Sequence, residues 1–122
     1  MNEEDVIIGK VEKLLINATD ISFDEVYDLM KQYDGVMSPA HIDKSSTSLL
    51  SNLGFIPPDS RFKTVELKNL KKLHSLQEKH SYLKECTIIT SSDAHYLQDI
   101  NEPTHTILVP NISPVGVITA LK

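Results

Sequence analysis

Short apolar runs alternate with amphipathic stretches of helical length from residue 22 onward, and this alternation restricts the fold more than any other feature. Ser22-Phe23-Asp24-Glu25 is a capping box, in which the serine accepts from the third amide and the glutamate answers back. It predicts a helix whose apolar face carries Phe23, Val26, Leu29, Met30 and Tyr33, with Asp34-Gly35 as a left-handed stop. Gly35 to His41 is a short apolar run that reads as a buried strand ending on His41. Ser45 to Asn52 reads as a helix stopped by Gly54, and Pro57-Pro58-Asp59 then forces an extended turn. Thr64 to Lys68 alternates apolar and charged residues as a strand does, and Asn69 to His80 places Leu70, Leu73 and Leu76 at helical spacing. Thr87 to Thr90 and His105 to Val109 are two further predicted strands. Ser113-Pro114 opens a last helix with proline at its first position and Val117, Ile118 and Leu121 facing inward.

Strands separated by helices favour a parallel sheet with covered faces, and in such sheets functional groups gather at the C-terminal ends of strands. The expected class is therefore α/β. Residues 1–20 are less regular: Val6-Ile7-Ile8-Gly9 and Leu14-Leu15-Ile16 form a hairpin, an arm, or part of a larger unit. At 122 residues the chain suits one domain spanning 1–122, with 1–20 as an arm or irregular entry segment.

A hydrophobic share of 40% and a charged share of 24% describe a packed globular chain. The net charge of −5 argues against nucleic acid or an anionic membrane as partner. Cys86 has no intramolecular partner, MNEEDVIIGK has no basic n-region, and no apolar run approaches the ~20 residues that cross a bilayer. A reducing cytoplasm is the expected location.

Imidazole and carboxylate are ligand types that suit zinc, iron and manganese, and a D-x-H or H-x-D pair points both side chains to one side of an extended backbone. Asp93-Ala94-His95 has this spacing at the end of one predicted strand, and His41-Ile42-Asp43 has it at the end of another. The remaining candidates have plainer readings. His74 and His80 fall on a Lys- and Gln-rich helix, His105 opens a strand, and Cys86 is a small apolar residue with no base nearby in sequence. Ser91 and Ser92 lack a nucleophile elbow and suit loop hydrogen bonding. Glu66 points either inward as a ligand or outward to solvent, and Lys44 and Arg61 are available as phosphate-binding cations or as solvated surface charge.

Ser38-Pro39-Ala40-His41-Ile42-Asp43-Lys44 and Thr90-Ser91-Ser92-Asp93-Ala94-His95-Tyr96 resemble the third and fourth motifs of the PHP (polymerase and histidinol phosphatase) phosphoesterases, the fourth of which is an S-D-A-H. The stretch from Ser48 to Pro58 looks like the helix and loop after the third motif in small bacterial members, so the similarity runs over nearly all of residues 22 to 122. The resemblance implies the C-terminal part of a distorted seven-stranded, TIM-like (β/α) barrel, with divalent zinc, manganese or iron ions at the strand ends. It implies hydrolysis of phosphate esters by metal-activated water, with a phosphorylated small molecule or nucleotide as substrate. Position by position, it makes His41, Asp93 and His95 metal ligands.

The family's H-x-H and T-D-H motifs are not in this sequence. The resemblance then implies a half-domain, with a single weakly held ion or none and little or no activity alone. Its open sheet edges would favour a homo-oligomer. Two other readings compete: a non-catalytic half-barrel used for interaction or regulation, and a metallohydrolase of the broader amidohydrolase type.

Overall fold

The computed structural model describes residues 3, 4, 6–10, 12, 13 and 18–122. Val6 to Gly9 is exposed and forms no regular element, and Leu14 to Ile16 lies outside the described residues.

Helix α1 (Phe23–Gln32) starts where its capping box directs: Ser22 Oγ accepts the Glu25 N–H and the Glu25 carboxylate accepts the Ser22 N–H at 2.8 Å. At its end Asp34, rather than Gly35, takes the left-handed conformation (φ 54°), and the Gly35 N–H donates to the Met30 carbonyl at 2.8 Å. Helix α2 (Leu49–Leu53) is shorter than predicted because Ser48, the last of four consecutive hydroxyl residues, is its cap; Gly54, at φ 77°, ends it. The predicted helix over 69–80 divides into a 3₁₀ turn, Leu70–Lys72, and helix α3 (Leu73–Lys79). Helix α4 (Pro114–Leu121) has the expected Ser113 cap and a proline in its first turn. No helix among the described residues is long and apolar enough to cross a membrane.

Strands β1 (Thr64–Glu66) and β2 (Thr87–Ile89) pair in parallel, with Thr64, Val65 and Glu66 opposite Thr87, Ile88 and Ile89. This two-stranded sheet with its four α-helices replaces the partial (β/α) barrel expected from the sequence; no barrel forms among the described residues.

The fate of the two outer predicted strands explains the difference. The segment ending at His41 does run beside β1: Glu66 donates its N–H to the Pro39 carbonyl (3.0 Å) and accepts from the Ile42 N–H (2.9 Å). In a regular parallel ladder the second donor would be residue 41. His41 is instead an extra, bulged residue at φ 31°, and the ladder stops there. The segment His105–Val109 forms no strand; it meets β2 through His105 Nε2, 3.1 Å from the Ile88 carbonyl oxygen, while Leu108 stays 97% exposed. Two three-residue strands cannot curl into closure.

Ile42, Phe62, Val65, Leu67 and Leu83 are buried together, and Phe23, Met37, Leu49, Leu50, Ile56, Leu73, Leu76, Tyr82, Cys86 and Ile88 pack around them. Phe62 is the centre of an aromatic group, edge-on to Phe23 at 6.2 Å and to Tyr82 at 5.1 Å between ring centroids. Alternation along β1 sends Val65 and Leu67 into this core and leaves Thr64 and Glu66 on the other face. Thr64 is closed off by its hydroxyl bond to the Leu121 carbonyl, at 2.6 Å. Glu66 is left at the open, C-terminal end.

Candidate functional site

Glu66 is the residue on which this end of the sheet converges. One of its carboxylate oxygens accepts from the Ser91 hydroxyl, and the other accepts from the His41 N–H at 3.3 Å. The bulge makes the second bond possible, because it turns the His41 amide away from the strand ladder and toward the side chain. Glu66 thereby ties together the loops after two neighbouring extended segments. Sequence reading left its direction open; the buried flanking pair Val65 and Leu67 is the signal that fixes it.

Each predicted ligand is held in its own way. His41 is half-buried and its Nδ1 has no hydrogen-bond partner although it is shut off from solvent. A polar atom buried without a partner costs about 1–3 kcal/mol, so it marks a place where the fold tolerates a cost. Asp93 sits at φ 52°; with Asp34, Thr47 and His41 it makes up the non-glycine residues of positive φ among those described. Its Oδ2 accepts from Lys44 Nζ at 2.8 Å, with Lys68 Nζ at 3.9 Å. The hydrogen bond from Lys44 holds the Asp93 carboxyl below the usual carboxylate range against the opposing effect of desolvation, with the charges of Lys44, His41 and Lys68 assisting. His95 is exposed, with Nδ1 3.0 Å from the Asp93 carbonyl oxygen. A carbonyl can only accept, so this contact assigns the proton to Nδ1 and leaves the Nε2 lone pair facing away as a donor.

These residues share one end of the sheet, but among those described no three His, Cys, Asp or Glu side chains stand together as a ready ligand shell. The Asp93 carboxylate is committed to Lys44, and the His95 ring is turned onto its own loop. No family model, curated protein or solved structure matches this chain. Two imidazoles and a carboxylate fit a divalent cation in kind, and the partnerless Nδ1 of His41 and the free Nε2 of His95 are both coordinating atoms without another task.

The second H-x-D pair resolves differently. Asp43 has a side chain only 2% exposed, and its two oxygens accept the backbone N–H groups of Lys68 (2.8 Å) and Asn69 (3.0 Å). Lys72 Nζ donates to the Asp43 carbonyl at 2.9 Å. Asp43 is thus a brace that fixes the chain leaving β1, and only His41 of that pair faces the site. Cys86 is half-buried, its thiol pushed up by burial, and its Sγ lies 3.6 Å from the Tyr82 carbonyl oxygen. Arg61 is bound bidentately to Asp28 (2.8 and 2.9 Å) and stacked on Tyr27. Of the two basic candidates, only Lys44 reaches the site.

Proposed function

We propose that this chain carries part of a PHP-type metal-dependent phosphoesterase site, with His41, Asp93 and His95 as the ligands of one divalent ion and little or no hydrolysis by this chain alone. The observation that carries the reading is His41: a ligand-type atom buried without a partner, on a bulge that Glu66 ties to the Ser91 loop leading to the S-D-A-H stretch. Backbone outliers and orphaned polar groups cluster at functional sites, where their cost of about 1–3 kcal/mol each is retained for the chemistry. The ion, zinc, manganese or iron, supplies Lewis-acid polarisation of a phosphoryl oxygen and acidifies water when bound.

The chain's own residues prepare for this. The Asp93 carbonyl sets the His95 tautomer, and Glu66 fixes the His41 backbone through its carboxylate and the Ser91 loop through its other oxygen. Exposed Leu97, Leu108, Ile112 and Val115 support the self-association that belongs to this reading, and light scattering of a concentrated sample tests it.

Metal analysis after loading with manganese and desalting tests the site. The parent chain is expected to retain an ion weakly, and Asp93→Asn and His95→Ala are expected to lose it. A parent chain at background level removes the metal reading. Turnover of an aryl phosphate by the parent, abolished in Asp93→Asn, removes the expectation of inactivity.

A further inference from the structure

The ammonium of Lys44 engages the proposed metal ligand Asp93, 2.8 Å from its Oδ2, with the Lys68 ammonium approaching the same oxygen at 3.9 Å. Both lysines are fixed at the root. The Lys44 N–H donates to the His41 carbonyl at 3.0 Å, and its own carbonyl accepts from the buried Ser48 hydroxyl at 2.8 Å. The Lys68 N–H is held by Asp43. A divalent ion and an ammonium at the same carboxylate repel one another, so the two compete for Asp93. A displaced ammonium would keep its anchored root and remain beside the ion on a four-carbon stem. It would be a mobile point charge of the kind that binds phosphate oxygens.

Resting on the proposed metal site, we infer that Lys44 is an exchangeable counter-ion: it neutralises Asp93 while no metal is bound, and becomes a ligand of the phosphoryl anion, with Lys68 beside it, once a divalent ion takes its place. Two consequences follow from the exchange. Lys44 weakens metal binding in the absence of an anion, because the ion must break a hydrogen-bonded charge pair. Phosphate strengthens metal binding, because it gives the displaced ammonium a new partner, and by linkage the metal strengthens phosphate binding by the same factor.

Titrations of Mn²⁺ followed by electron paramagnetic resonance, with and without inorganic phosphate and with free Mn²⁺ corrected for its phosphate complex, test this. The parent chain should bind Mn²⁺ weakly and tighten about fivefold or more when phosphate is added. Lys44→Met should bind Mn²⁺ tighter than the parent without phosphate, by a similar factor, and lose most of the response to phosphate. Lys44→Arg, which keeps a cation, should stay close to the parent, and matched circular dichroism and urea midpoints separate the effect from misfolding. Mn²⁺ binding that depends on Asp93 but is equal in the parent and Lys44→Met, or that responds equally to phosphate in both, overturns the exchange and leaves the metal site standing. Absence of Mn²⁺ binding in both chains overturns the exchange together with the site.

Discussion

The two ends of the three-residue strand β1 are built on opposite terms. At the Thr64 end the threonine hydroxyl bonds to the Leu121 carbonyl and the Tyr82 hydroxyl lies 2.7 Å from the carbonyls of Ser60 and Phe62, although the Ser60 hydroxyl is buried without a partner. Apolar rings fill the remaining space. At the Glu66 end the backbone bulges, two non-glycine residues take positive φ, an imidazole nitrogen is buried without a partner, and two ammonium groups compete for one carboxylate oxygen. One end is arranged for stability and the other holds groups in readiness. The difference teaches which substitutions should be felt as unfolding and which as lost binding.

The largest effect is expected at the stable end. Phe62 is 1% exposed and contacts Phe23 and Tyr82, so Phe62→Ala should cost about 3–5 kcal/mol in urea denaturation followed by circular dichroism. For a domain of this size that is a large part of the total stability of about 5–15 kcal/mol. A loss below about 1 kcal/mol would show that this end is not the anchor of the fold.

Asp43 is where the contrast could break, since it lies at the functional end but is built like the stable one. Asp43→Ala leaves the N–H groups of Lys68 and Asn69 without their acceptor and should cost about 1–3 kcal/mol. Mn²⁺ retained by the refolded variant would confirm the brace; loss of the ion without loss of stability would make Asp43 a ligand after all. Asp93→Asn should behave in the opposite way, with binding lost and the urea midpoint nearly unchanged.

This pair of aspartates also shows how far the sequence could be read. Both lie in H-x-D or D-x-H patterns, and spacing alone made them equivalent candidates. What separates them is non-local: Asp43 meets amides 25 and 26 residues away, whereas Asp93 meets an ammonium 49 residues away. Features set within one turn of chain were legible, among them the Ser22–Glu25 box, the Gly54 stop and the Ser113-Pro114 start. The start of α2 was not, because four hydroxyl residues in a row offer equivalent caps, and the bond from Ser48 to the Lys44 carbonyl comes with the local fold that selects among them. The outer strands failed for the same reason in reverse. Apolar runs at 35–41 and 105–109 have strand composition, but a strand exists only where a neighbour completes its ladder; the first meets a bulge, and the second meets β2 through one imidazole contact.

A smaller effect of opposite sign is expected at His41. Glycine adopts φ 31° without a Cβ, and His41→Gly also removes the orphaned Nδ1, so stability should rise by up to about 1 kcal/mol while metal binding falls. A marked fall in stability would mean that His41 packs as a core residue and that the functional end is less poised than its geometry indicates.

The smallest effect concerns the other pairing of a basic side chain with an aspartate. Arg61 grips Asp28 bidentately and lies 4.4 Å from the Tyr27 ring centroid, whereas Lys44 reaches Asp93 through a single atom. The Arg61 bonds hold the Asp28 carboxyl below its ordinary value, with desolvation opposing and the charges of Arg61 and Lys31 assisting. A carboxyl depressed in the folded state binds fewer protons there than in the unfolded chain. Its contribution is therefore present above the unfolded value of about 3.9 and disappears as pH falls through the folded value. Asp28→Asn should lower the urea midpoint slightly at neutral pH, and the gap to the parent should close as pH falls below about 4. The pair is largely exposed, so the gap should also shrink in molar salt. A gap that survives both acid and salt would assign the role of Asp28 to packing around Tyr27 instead of charge. The structural pair would then differ from the Lys44–Asp93 pair in kind, and not only in how firmly the cation is held.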